Sequence, residues 1–456
     1  MFSHRAHGGV FCAAIVTAFA GFVSPFSFAE EKPKSQILFT NVNVFDCKSD
    51  QLVEGMNVLI EDNLIKEVAG DNIDVHENAT VINGAGRTLM PGIIEGHGHV
   101  GLPVAGDQLT EQQDWQYLAV RAAATAKFFL DNGWTTVRDA GGPTFGIKKA
   151  IDEGHVPGPR IYPSGRFISQ TSGHGDFRAG YASPHPNDLP VEPFFNREFG
   201  AVADGVPEVL RATREELRKG AVHIKIMAGG GIASQYDPIH TRQYSPEEMK
   251  AIVDAAADWG TYAMVHAYTD DAVRRAIEAG VKVVEHGQLM TDETAKLAAD
   301  NDVWLSTQIA FLGEEPTPEQ IATFGEVTAA KFRQVRQGVD TSINYAKEYG
   351  IKIAFGTDLW GPRINEITSE FAYRQKYFSN VEILRQATCG NGELLQLTGP
   401  LNPYPEGPIG VIAEGAYADI LLVDGNPIED LLLLADPAEN MDLVMKDGKI
   451  YKNTLN

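Results

Sequence analysis

His97 and His99 stand two residues apart in "PGIIEGHGHV" (residues 91–100), at the end of a short apolar run. On a β-strand alternate side chains share a face, so both imidazoles would point one way and could ligate a cation. The pair alone is equally compatible with a plain strand end, so its meaning comes from its company. Lys225 stands among apolar neighbours in "HIKIMAGGG", His266 in "MVHAY" and His286 in "VVEHG", and Asp358 closes "IAFGTD". Each has a bland alternative, since strand histidines are often just hydrogen-bonded in place and an aspartate after Gly-Thr can cap a turn. Together they form a donor set for divalent metal ions.

Lys225 is the most informative of the six. An ammonium inside an apolar strand is costly to bury, so it should be neutralised, paired or chemically altered. A neutral amine can add carbon dioxide to give a carbamate, an anionic oxygen ligand able to bridge two cations. The alternatives are a lysine that snorkels to a rim or one that pairs with Asp358.

These residues need elements that bring them together. The middle of the chain alternates strand-like runs ("GIIEGHGHV", "WTTVRDAGG", "PRIYPSG", "VHIKIMAGGG", "YAMVHAYT", "VKVVEHGQ", "DVWLSTQ", "KIAFGTD") with helical stretches. "SPEEMKAIVDAAADWG" opens with Ser245 and has Glu248 three residues on, a capping-box pattern. Helical runs end in Gly133, Gly260, Gly280 and Gly350. This is the α/β pattern of a (β/α)8 TIM-type barrel, where chemistry gathers at the C-terminal ends of the strands. A doubly wound sheet is the alternative architecture. Both ends of the chain alternate apolar and polar residues between turn signals, as hairpins do. They predict a small discontinuous β-sandwich from residues 30–92 plus 400–456, around a barrel of residues 93–399.

Composition narrows the function. The net charge of -23 over 456 residues excludes a basic nucleic-acid-binding face. "MFSHRAHGG", the apolar "VFCAAIVTAFAGFV" and "SFAEE" predict a signal peptide over residues 1–29, cleaved after Ala29, and hence a periplasmic or secreted protein with no membrane segment after removal. The apolar run is short for a spanning anchor. Cys47 and Cys389 are expected to be free buried thiols, although an oxidising compartment would let them pair. The "NAT" tripeptide at Asn78 carries no weight as a glycosylation signal.

In order along nearly the whole mature chain, "PGIIEGHGHV", "GWTTVRDAGG", "SQTSGHGD", "HIKIMAGGGIAS", "VHAYTDDAVRRAIEAGVKVVEHG", "IAFGTD" and "GVIAEGAYADILLVDGNPIED" resemble the amidohydrolase superfamily. The likeness is to its imidazolonepropionase-like and Xaa-Pro dipeptidase-like branch, ochratoxinase-type amidases included. The resemblance implies a binuclear site, usually zinc, with an N-carboxylated lysine. His97, His99 and Asp358 would hold one ion and His266 and His286 the other, with carboxylated Lys225 and a hydroxide bridging them. Manganese or cobalt could replace zinc.

The same resemblance implies attack of the bridging hydroxide on an amide carbonyl, with Asp358 as proton shuttle. His174 in "TSGHGD" resembles a residue that contacts the developing oxyanion; its alternative is a loop histidine held by Asp176. Tyr268, two after His266, would face the same cavity. The segment "DFRAGYASPHPNDLPVEPFFNREFGAVADG" follows His174. Its Phe177, Tyr181, Phe194, Phe195 and Phe199 could line an apolar pocket, and Arg178 could grip a substrate carboxylate. The expected substrate is a small dipeptide, N-acyl amino acid or ochratoxin-like aryl amide. Cyclic amide or imidazolone hydrolysis, and an inactive exported binding protein, are the competing readings. A homo-oligomer is compatible with all of them.

Overall fold

The N-terminal region forms β1 (Gln36–Val44), β2 (Val53–Glu61), β3 (Leu64–Ala69), β4 (Thr80–Asn83) and β5 (Thr88–Pro91). The structure is a computed structural model and describes residues 34–104, 113–178 and 198–455. The expected signal peptide (1–29), Tyr181, Phe194 and Phe195 lie outside the described residues. Asp62, at φ +55°, forms with Asn63 the two-residue turn that pairs β2 with β3.

The inner ring is made by β6 (Ile93–Gly98), β7 (Trp134–Asp139), β8 (Arg160–Tyr162), β9 (Phe167–Ser169), β10 (Gly200–Val202), β11 (Ile224–Met227), β12 (Ala263–Thr269), β13 (Val283–Leu289), β14 (Trp304–Thr307) and β15 (Ile353–Phe355). One parallel ladder runs β10-β9-β11-β12-β13-β14-β15, another β6-β7-β8. The third barrel strand is split into β8 and β9 where Pro163 lacks a donor and Gly165 takes φ +71°. Between β15 and β6 a side-chain bridge and a backbone hydrogen bond replace the ladder. Asn391 Nδ2 donates to both Ile94 O and Phe355 O at 2.7 Å, and Asp358 N donates to His97 O at 3.0 Å.

Strand alternation divides the core into two layers. Met264, Val283, Trp304 and Ala354 pack together on one face. Val265, Val284 and Leu305, on the other, join Ile252, Val273 and Ile277 from the helices Pro246–Asp258 and Asp270–Ala279. The Ser245–Glu248 capping box forms as expected, and Gly280 ends its helix in the left-handed conformation.

The chain ends in β16 (Ile420–Val423), β17 (Met441–Lys446) and β18 (Lys449–Asn453), which join the N-terminal strands in one sheet of order β18-β17-β16-β5-β1-β2-β3, with β4 beside β1. The sheet folds back on itself. Ile65 N donates to Ala416 O, and Gly415 N to Ile65 O, both at 2.8 Å. Phe39, Val58, Leu422 and Leu443 fill the space between its halves.

The expectation of free thiols is corrected. Cys47 and Cys389 form a disulfide across 342 residues, because the end of β1 and the turn Gln386–Gly390 bring their Cα atoms to 6.4 Å. Sequence separation concealed a contact that the fold makes. Replacing both cysteines by serine is expected to remove about 2–4 kcal/mol of stability, read from denaturant unfolding. An unchanged midpoint would show that the link constrains nothing.

Candidate metal centre

β6 delivers His97 and His99. A Cβ on Gly96 would stand 2.5 Å from Phe355 O, so the close approach of β15 to β6 requires glycine there. On β12, His266 and Tyr268 follow Met264 on the inward face. Parallel register pairs His266 with Glu285 of β13, and Ala267 with His286. Regular alternation would therefore turn Glu285 inward and His286 outward. His286 instead has φ +79°, and its ring comes to 5.3 Å from that of His97 and 4.6 Å from that of His266. Asp358 is also left-handed, at φ +54°. Such conformations cost on the order of 1–3 kcal/mol each and persist where packing holds them in place.

One ligating atom from each of His97, His286 and Asp358 lies within 4.8 Å of the others. Asp358 Oδ1 is 3.4 Å from His97 Nε2 and 3.0 Å from His99 Nε2. His286 thus sits with His97 and Asp358 as well as with His266, a tighter grouping than two separate ligand sets. Lys225 is buried at 1 % exposure on β11. Burial lowers its pKa to about 8, against the raising influence of Glu285 and Asp358.

Three of the four histidines are held neutral, whereas at His99 burial is outweighed by the hydrogen bond to Asp358 and its charge, which raise the pKa. Burial, aided by Lys225, pushes His97 down to about 4, and burial pushes His286 down to about 3 and His266 well below the usual histidine range. Burial opposes ionisation of Asp358, but the surrounding imidazoles of His97, His99 and His286 outweigh it and hold the carboxyl well below its ordinary range. Neutral imidazoles and an ionised carboxylate are what a divalent ion binds. The residues therefore fit a metal.

The tautomers are set from behind. Glu285 Oε2 is 2.5 Å from His97 Nδ1, and its Oε1 accepts from Arg138 Nη2 at 2.6 Å, all three side chains being fully buried. Gly141 O lies 3.1 Å from His99 Nδ1. Both Nδ1 atoms face acceptors, so both Nε2 lone pairs are left for the site. Glu95 Oε1 accepts from His97 N at 3.0 Å and Thr357 N at 2.8 Å, tying β6 to the turn that carries Asp358.

The auxiliary residues fall in different places. His174 stacks on His266 with ring centroids 4.0 Å apart. Its Nδ1 is 2.6 Å from Ser234 Oγ and 3.6 Å from Asp237 Oδ2, so the loop after β11 holds it rather than Asp176. Asp176 instead takes two side-chain hydrogen bonds from Arg178, at 2.7 and 2.6 Å. Tyr268 lies 4.7 Å from His266 and 5.0 Å from His286, centroid to centroid. A cleft over the cluster is lined by His174, Tyr268 and Asp358 together with Phe177, Phe311 and Trp360. Phe199 is buried at 1 % in a core cluster with Leu118 and Phe167.

Sequence reasoning passed over Arg138, Glu285, Ser234 and Asp237. The available signal was weak: an acid and an arginine inside apolar strands ("VVEHG", "TTVRDAGG") should be paired if buried.

Residues 88–451 match the model of the amidohydrolase family. The chain belongs to that family. Its relatives include ochratoxinase of Aspergillus niger, 32% identical over 391 residues that cover 80% of this chain and 75% of that protein. Among solved structures, a prolidase complexed with N-methylphosphonate-L-proline is 36% identical, with a TM-score of 0.84 over 92% of this chain and 100% of the other. A Xaa-Pro dipeptidase with bound methionine in the active site is 30% identical, with a TM-score of 0.79 over the same shares. The fold of barrel plus β-sandwich agrees with these amidohydrolase relatives. The protein is a metal-binding hydrolase of C–N bonds. Among the described residues no helix is long and apolar enough to cross a membrane.

Glu285→Gln retains the shape of the clamp but not its charge. It is expected to weaken metal binding about 10–100-fold in chelator competition, by loosening His97. Unchanged affinity would show that the clamp does not reach the metal.

Proposed function

We propose that the protein is an exported binuclear amidohydrolase that cleaves the amide or peptide bond of a dipeptide, N-acyl amino acid or aryl amide of an amino acid. His97, His99 and Asp358 would hold one divalent ion, His266 and His286 the second, with N-carboxylated Lys225 between them. Imidazole and carboxylate donors suit zinc. The observation that carries the reading is the convergence of this donor set beside an apolar cleft. A pKa near 8 leaves Lys225 partly neutral, and its amine can add carbon dioxide with loss of one proton.

When bound, the ions would polarise the scissile carbonyl and make water a nucleophile near neutral pH. Asp358, ionised and lining the cleft, is placed to take the water's proton and pass it to the leaving nitrogen. Burial raises the Tyr268 phenol well above its ordinary pKa, so it stays protonated and can donate to the oxyanion. His174 would donate from Nε2 while Nδ1 is held by Ser234. Phe177, Phe311 and Trp360 exclude water and accept an apolar side chain. The names of the relatives, ochratoxinase, prolidase and Xaa-Pro dipeptidase, support a small amide substrate. The Cys47–Cys389 disulfide supports an oxidising compartment and therefore export.

A panel of dipeptides and N-acyl amino acids on zinc-loaded protein is expected to reveal turnover, and Lys225→Ala to lose most metal and activity together. Full metal and full rate in that variant would contradict the bridging role. Recovery of metal-free protein by zinc at constant dissolved carbon dioxide should accelerate as pH rises through about 8, because the neutral amine fraction grows. A rate independent of pH across that range would oppose carboxylation.

A further inference from the structure

Lys331 lies on the helix Glu326–Arg336, in the crossover between β14 and β15, and its side chain is buried. Its ammonium does not reach for solvent. Nζ donates to three backbone carbonyls of the loop after β11: Gly231 O at 2.9 Å, Ser234 O at 2.7 Å and Asp237 O at 2.9 Å. An ammonium has three protons, so its donor capacity is spent on one turn of chain. Asp237 Oδ1, 3.6 Å away, balances the charge. In the ladder β12 and β13 separate β11 from β14, so the contact ties together segments that are not strand neighbours.

The caged turn is the one that holds His174. Ser234 Oγ forms a hydrogen bond of 2.6 Å with His174 Nδ1 and lies 3.4 Å from Gly231 O. Asp237 Oδ2, 3.6 Å from the same ring nitrogen, accepts from Gly231 N at 2.7 Å. The loop backbone presses on the imidazole: a Cβ at Gly231 would stand 1.8 Å from Nδ1. Every one of these contacts depends on the course of residues 231–237 around Nζ.

We propose that Lys331 is a positioning residue for His174: by caging the carbonyls of Gly231, Ser234 and Asp237 it fixes the Nδ1 hydrogen bond and the stacking of the ring on His266, leaving Nε2 for the substrate carbonyl. This rests on the role given to His174 above. Lys331 touches neither substrate nor reacting atoms, so its effect passes through His174 and disappears when His174 is absent.

The test is a double-mutant cycle on the zinc-loaded enzyme with an N-acyl-L-phenylalanine as probe. His174→Ala is expected to lower kcat by about 10²-fold, as loss of an oxyanion donor does. Lys331→Met should lower kcat about tenfold with KM and metal content nearly unchanged, as a misplaced group does. In the His174→Ala background Lys331→Met should cost nothing further. Lys331→Gln, which cannot cage all three carbonyls, should show the same non-additivity, and it serves if Lys331→Met does not fold. A second readout needs no substrate: the His174 ring resonances, set by the Ser234 hydrogen bond and the stack on His266, should shift in Lys331→Met. Equal losses in both backgrounds would overturn the positioning role alone. A wild-type kcat in His174→Ala would overturn the role of His174 and that of Lys331 with it.

Discussion

Glu285 has no access to water, and the architecture of the metal centre follows from how its charge is satisfied. Burial penalises the carboxylate, yet Arg138 and His97 outweigh the penalty and keep it ionised. Arg138 in turn donates Nε to Gly96 O at 2.6 Å, so one cation braces β6, β7 and β13 together. Removing either partner would strand a buried charge, a loss of about 3–5 kcal/mol. The same clamp fixes the proton on His97 Nδ1 and turns Nε2 towards the ligand cluster. Structural demand and ligand orientation are thus met by one set of hydrogen bonds.

That inward carboxylate creates a second constraint. With Glu285 facing the centre of the barrel, the next residue should face the helices, yet His286 is required at the site. The backbone resolves the conflict by the left-handed conformation at His286. Asp358 does likewise in a turn that Glu95 ties to β6 through Thr357. Asp358 lies beyond the end of β15, and His286 lies within β13 where the pairing with β12 shifts register between Ala267 and Thr269. Regular strands supply the rigid base, and a strand end and a break in register tolerate the departures that ligand geometry needs.

The sequence reveals those features that depend on residue type at a strand end. His97, His99, Lys225, His266, His286 and Asp358 stand out because polar groups closing apolar runs are chemically expensive, and the structure brings them to one end of the barrel. Features set by register or long-range contact stay hidden. Glu285 reads as an ordinary acid until pairing with His266 turns it inward. His174 has an acid two residues away, Asp176, but folding gives that acid to Arg178 and supplies Ser234 and Asp237 from 60 and more residues along the chain. Cys47 and Cys389 look unrelated until the fold lays the end of β1 beside the turn Gln386–Gly390. The split third strand was not apparent either, although Pro163 and Gly165 carry the physical reason.

The central claim is that this donor set, with Lys225 as a carboxylated bridge, holds two divalent ions. Anomalous diffraction from crystals of the zinc-loaded protein tests it most directly. The account predicts two anomalous peaks between His97, His99, His266, His286 and Asp358, with added density for a carboxylate on Lys225 Nζ reaching both. A single peak beside an unmodified lysine would contradict it.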